Sequence, residues 1–480
     1  MLFNSLEFLI FFPAVTILFF ILPHRYRWFM LLVASCVFYM AFIPVYVCVL
    51  FLTIFIDYFA GIFIENTHGI KRKLYLVVSI ISTCAVLFVF KYYNFFAANV
   101  AMLCDLLNLP HPVHPLSLIL PIGLSFHTFQ SLSYVIEVYR GQQKAEKKFG
   151  IYALYVMFYP QLVAGPIERP QNLLHQFYEK HTLDYVRITD GLKLILWGFF
   201  KKIVIADRLA IYVSAIYDHP GEYHGLPVIL ATYFFAFQIY CDFSGYSDIA
   251  IGCAKVMGFD LMQNFNRPYF SKSISEFWHR WHISLSTWFR DYLYIPMGGN
   301  RVGKTRWYAN IFLVFLISGF WHGANWTFVV WGALHGFYLL FSIWTQEIRS
   351  MLADACRLRT FPRIEKCVRI LMTFHLVLFS WVFFRARSIS DALTIFHDMF
   401  CFDFSGLGIN VAEFGRYELM VAFFSISIME LVHFAQRNTR ILEVLSQKPI
   451  WLRWAVYYGV LFGILMFGEF KISPFIYFQF

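Results

Sequence analysis

Ile311-FLVFLISGFWHGANWTFVVWGALHGFYLLFS-Ile343 consists of two apolar runs separated by a short polar break, Ser318-Gly-Phe-Trp-His322-Gly-Ala-Asn-Trp-Thr327. Roughly 20 mostly apolar residues make a helix that crosses a bilayer. A helix starting near Trp307 would carry His322 roughly 22 Å along its axis, well inside a hydrocarbon core of about 30 Å. An ionisable side chain at that depth is costly and is a functional candidate by default. The plainer alternative is a neutral histidine bonded to a neighbouring helix. Gly319, Gly323 and Asn325 favour function, because they allow close backbone approach and supply a polar partner. A neutral imidazole there could accept a hydroxyl proton as general base, a role worth about 10²–10⁴ in rate.

The rest of the chain agrees with a membrane setting. Of 480 residues 59% are hydrophobic and only 14% charged, with 58 phenylalanines and a mean hydropathy of +0.60. A soluble domain needs a more charged exterior to stay dispersed. Further apolar stretches cover residues 8–22, 28–41, 45–64, 74–90, 118–138, 228–240, 370–384, 419–432 and 455–467. The expected fold is therefore all-α and polytopic, with about ten or eleven transmembrane helices plus re-entrant segments around a central cavity. No linker or repeat divides it, so residues 1–480 read as one membrane domain. Glu7 and the lack of a basic leader make the first stretch a retained span rather than a cleaved signal.

The net charge of +10 does not point to nucleic acid. The basic residues cluster in short loops between spans: His24 to Arg27, Lys71 to Lys73, and Arg140 with Lys144, Lys147 and Lys148. The positive-inside rule puts these loops in the cytoplasm and the N-terminus outside. Arg385 and Arg387 are exceptions, since they fall where the outer face is expected. The nine cysteines are scattered, without a CxxC pair, and read as buried thiols.

From Tyr134 to His335, Gly, Pro and ionisable residues interrupt the apolar runs, and irregular backbone at membrane depth needs a protein or cavity setting. Residues 151–168, broken by Pro160 and Ala164-Gly-Pro166, read as re-entrant between basic loops at Lys147-Lys148 and Lys201-Lys202. In 276–296, aromatic residues alternate with His279, Arg280, His282, Arg290 and Asp291, as suits an interfacial anchor or the wall of a cytoplasmic donor pocket. His279 and His282 would share a helical face, but no third ligand lies nearby and Arg280 would repel a cation, so no metal is expected.

Gly298-Gly-Asn-Arg-Val-Gly-Lys-Thr305 satisfies GxxxxGK[ST], but in a nucleotide hydrolase that pattern sits between a buried strand and a soluble helix. Here it can only be a basic, Gly-rich loop able to hold phosphates through backbone N–H groups and Arg301 or Lys304. Asp242, Ser244, Tyr246 and Asp248 are too polar for a lipid face and should line the same cavity. His127 and His335 read as satisfied core histidines.

On these residues the chain resembles the membrane-bound O-acyltransferase superfamily, and within it the branch of alginate, peptidoglycan and cellulose O-acetylation. The carriers are Lys91-Tyr-Tyr-Asn-Phe95, Gln161-Leu-Val-Ala-Gly-Pro166, residues 238–248 and 277–299, Trp321-His-Gly-Ala-Asn-Trp326 and Trp381-Val-Phe-Phe-Arg-Ala386. The resemblance implies a hollow core in which donor and acceptor meet from opposite faces of a bacterial cytoplasmic membrane. The family's essential histidine maps onto His322, and its motif-embedded histidine or asparagine onto His282. Acetyl coenzyme A would be the donor, as a substrate rather than a bound cofactor, with Arg290, Arg301 and Lys304 as candidate contacts. The acceptor would be a hydroxyl of an envelope polysaccharide or of a periplasmic, esterase-like acetyltransferase partner. Two alternatives remain at this level: D-alanyl transfer to teichoic acid, and a glycan transporter or flippase whose polar middle is a pathway.

Overall fold

In the computed structural model, residues 1–110, 114–401, 411, 414–437, 441–471 and 475–478 are described. Among them the regular structure is helical, apart from one isolated bridge between Val411 and Phe414. Several helices begin where a small polar side chain takes up a free backbone N–H. Ser5 accepts from the Phe8 amide, Ser273 from Glu276, Asn325 from Thr327 and Ser388 from Asp391.

The expected ten or eleven crossings are corrected to seven. Among the described residues the helices long and apolar enough to cross a membrane are Tyr46–Asn66, Gly69–Leu106, Leu226–Met257, Trp326–Trp344, Pro362–Arg385, Arg416–Ala435 and Ile450–Phe467. Leu6–Ile21 has 16 residues, so it reaches only about 24 Å, and His24–Met40 spends its first turn on His24, Arg25 and Arg27. The stretch at 118–138 becomes Leu124–Arg140, 17 residues that are buried in protein almost throughout. Its apolar character reflects a core, not lipid. Lys304–His322 is long enough, but Lys304, Arg306, Asn310 and Ser318 dilute it.

The chain divides into two compact units. In the first, residues 1–195 and 247–262, Asp57 lies midway along Tyr46–Asn66 and is fully buried. Its carboxyl accepts from the Ser79 hydroxyl at 2.5 Å and the Thr83 hydroxyl at 3.1 Å, which knits two spans together. His127 is buried with Nε2 at 3.4 Å from the Thr53 hydroxyl. Phe149–Met157 and Tyr159–Leu162 are buried pieces of 9 and 4 residues, each too short to cross.

The second unit holds residues 196–246 and 263–480. Here Lys201 and Lys202 do not form a basic loop. They sit on a π-helical turn, Phe200–Ala206, with both side chains buried. Lys202 pairs with Asp207 at 2.8 Å and Asp242 at 2.7 Å, and Lys201 donates to the Ser244 hydroxyl at 2.9 Å. One ammonium and two carboxylates thus share a buried cluster, and the second ammonium meets a hydroxyl beside it, which makes their depth tolerable. Arg385 and Arg387 both pair with Asp218, each at 3.0 Å.

Candidate active site

The polar break becomes a tight helical hairpin. Lys304–His322 ends at the histidine, Gly323 is extended (φ −158°, ψ 145°), and Asn325 caps Trp326–Trp344. The two helices touch through glycine: a Cβ on Gly319 would lie 2.9 Å from the Gly332 Cα, and one on Gly332 would lie 3.0 Å from the Gly319 Cα. This close approach turns the chain back at once and leaves His322 at the tip.

His322 is only 3% exposed. Its ring is walled by Trp321 (4.9 Å between centroids), Trp331 (5.0 Å, edge-on), Phe384 (5.5 Å) and Tyr477 (5.6 Å). Trp331 is backed in turn by His335 at 4.9 Å. Trp278 Nε1–H donates to His335 Nδ1 at 3.3 Å, so His335 Nε2–H faces the Ser380 hydroxyl at 2.9 Å. Both nitrogens have partners, so His335 supports the wall.

His279 and His282 do not share a helical face. The helix Ile274–Arg280 stops, Trp281 is extended, and His282 takes a left-handed conformation (φ +44°, ψ 55°) before Ile283–Phe289. Exposed His279 turns to its own helix, with Nδ1 at 2.6 Å from the Ser275 carbonyl. His282 is fully buried, with Nδ1 at 3.1 Å from Asn264 Oδ1. That oxygen also accepts from the Ser284 amide at 3.2 Å and hydroxyl at 2.9 Å. Asn264 Oδ1 can only accept, so His282 Nδ1 carries the proton and Nε2 the lone pair. His282 lies outside the seven spans, and burial pushes its pKa down to about 3, so the ring is neutral.

An aromatic bridge joins the two histidines. Phe243 meets His282 edge-on at 4.6 Å and Tyr477 at 4.7 Å, and Tyr477 faces His322. Asp242, Ser244 and Tyr246 are buried on the same stretch of helix as Phe243, whereas Asp248 belongs to the other unit.

The three basic residues lie elsewhere. Arg290 has a side chain 56% exposed and pairs with Asp291 at 2.8 Å. Arg301 and Lys304 are exposed at the start of the helix whose last residue is His322, about 27 Å away along the axis. The Gly298–Gly299 turn needs positive φ (+103° and +56°), and the Asn310 side-chain amide donates to the Met297 and Gly299 carbonyls. A π-helical turn, Arg290–Tyr294, precedes the loop where a nucleotide hydrolase would have its strand.

Lys202 and Tyr477 were missed from the sequence. Two lysines inside the apolar run at 194–206 required polar or carboxylate partners. That requirement was the available signal. Phe475-Ile-Tyr-Phe478 is too short to register as a span.

Comparison with known proteins bears on this site. The model for "MBOAT, membrane-bound O-acyltransferase family" matches residues 148–386, a range that contains His282, Arg290, Arg301, Lys304 and His322. The chain is 37% identical over 503 residues to the probable alginate O-acetylase AlgI of Pseudomonas putida, covering 100% of both. It is 36% identical over 398 residues to the peptidoglycan O-acetyltransferase of Helicobacter pylori, with 77% of this chain and 73% of that protein covered. Identity to the teichoic acid D-alanyltransferase of Bacillus subtilis is 28% over 298 residues, with 58% and 73% covered.

Proposed function

The chain belongs to the membrane-bound O-acyltransferase family and is a multi-pass membrane acyltransferase, and from that premise we propose that it moves an acetyl group from cytoplasmic acetyl coenzyme A to a hydroxyl of an envelope polysaccharide or of a periplasmic relay partner. Alginate, named in the full-length relative, is the first acceptor to try. The setting is a bacterial cytoplasmic membrane with the N-terminus outside, a reading that rests on the basic loops at 24–27, 71–73 and 140–148.

The carrying observation is His322, buried at the tip of the hairpin between Lys304–His322 and Trp326–Trp344 and ringed by aromatic side chains. In this reading its imidazole takes the proton from the attacking hydroxyl as the thioester carbonyl is approached. The proton then passes to the departing thiolate, so the histidine ends as it began. His282, neutral and locked by Asn264, orients or polarises the reactants. The ring walls exclude water that would otherwise hydrolyse the thioester.

Purified protein given labelled acetyl coenzyme A and the polysaccharide should transfer label, and His322→Ala should lose at least about 100-fold of that activity while still folding. Full transfer by the folded variant would refute the mechanism. The D-alanyl relative supplies a second reading, and a charged carrier protein as donor separates the two. The transporter alternative is left without support, because each relative described is an acetylase or a transferase.

A further inference from the structure

We propose that Asp242 is a positioning residue for acyl transfer: held by Lys202, it pins the backbone of Ile476 and so sets Tyr477 against His322. Asp242 is buried on Leu226–Met257. One carboxylate oxygen pairs with the Lys202 ammonium at 2.7 Å, and the other accepts the Ile476 N–H, also at 2.7 Å. The residues on either side of that amide then pack. Phe475 lies on Phe243 (5.5 Å) and Tyr246 (5.0 Å), while Tyr477 lies on Phe243 (4.7 Å), Phe384 (6.0 Å) and His322 (5.6 Å).

The ionic cluster suits this task better than a neutral acceptor would. Lys202 is divided between Asp207 and Asp242 across a π-helical turn, so the Asp242 carboxylate is fixed from behind before it meets the amide. A charged acceptor makes a stronger hydrogen bond to N–H than a carbonyl does. One short bond therefore decides where one of the rings packed around His322 stands. The inference rests on the role proposed for His322, but the latch can be read independently of it.

Two variants break the same bond from opposite ends. Asp242→Ala removes the acceptor. Ile476→Pro removes the donor and leaves the ion cluster intact, at the first position of a short 3₁₀ turn where a helix tolerates proline, and Ile476→Ala, which keeps the N–H, reports the loss of that buried side chain alone. Asp242→Ala and Ile476→Pro should each lower kcat by roughly 10–100-fold with little change in donor KM, the scale expected when a wall shifts by an ångström. The double variant should be no worse than the poorer single, because both act through one bond. Asp242→Asn, which keeps an acceptor but loses the charge, should fall between wild type and Asp242→Ala.

Hydrogen exchange supplies the second readout. Protection of the 475–478 amides should drop in Asp242→Ala while Trp326–Trp344 keeps its own. Unaltered kcat in folded Asp242→Ala and Ile476→Pro, or losses that multiply in the double, would overturn the proposal, as would unchanged protection of 475–478. Should His322→Ala remain active, the reading of the chemistry fails, while the exchange result still reports on the latch.

Discussion

His282 carries a backbone conformation that a non-glycine residue adopts at a cost of about 1–3 kcal/mol. Asparagine visits the left-handed region more readily than any other side chain but glycine. It is also short and polar enough to remain beside Asn264. His282→Asn should therefore keep its melting temperature in detergent and retain measurable transfer. His282→Leu, similar in volume, has no donor for Asn264 and fits the left-handed backbone poorly. It should lose about 1–2 kcal/mol of stability and at least about 100-fold in transfer. Equal activity in the two variants would remove His282 from any orienting role. His322 stood out in the sequence as an ionisable residue deep in an apolar run, whereas His282 was singled out only through the family resemblance. Lys202, Asp242 and Tyr477 were not read as a group. The decisive bond joins residues 234 positions apart, and nothing local announces it.

At the scale of helices, periodicity and length read well only where an element faces a single environment. Leu124–Arg140 is apolar because it is core, and counting it with lipid-facing spans inflated the total, whereas Phe149–Met157, equally buried, was read as part of a re-entrant segment. The break at His322 was legible, but the turn geometry was not, since it depends on glycines meeting across the hairpin. Gly319 and Gly332 stand so close that neither position has room for a side chain. Gly332→Leu should push Trp326–Trp344 away from its partner, cost about 1–3 kcal/mol through overpacking, and displace Trp331 from the His322 ring. Glycine at 336 is less confined, with its nearest neighbour a Phe312 ring carbon at 3.1 Å from an added Cβ. Gly336→Ala should accordingly be milder. Thermal unfolding in detergent and the intrinsic tryptophan signal test both. A Gly332→Leu protein as stable as Gly336→Ala would mean that the hairpin does not depend on that contact.

Over the whole molecule, the positive charge has a division of labour. Lys202 is buried between two carboxylates, Lys201 donates to the Ser244 hydroxyl and Arg385 pairs with Asp218, so these are spent on holding helices together. Arg301 and Lys304 remain exposed beside a glycine turn, at the opposite end of the helix from His322. Coenzyme A is itself divided in this way, with its phosphates at one end and its thioester at the end of a long arm. If the exposed pair meets the phosphates, Arg301→Ala with Lys304→Ala should raise donor KM by roughly tenfold and leave kcat alone, because the interaction is equal in ground and transition states. The difference should fade near 1 M salt, where the screening length contracts to about 3 Å. Acetyl-pantetheine, which has the thioester but no phosphate, should show no difference between the double variant and the wild type. An equal rise in KM for that truncated donor would show that the loop acts on the shape of the entrance rather than on charge.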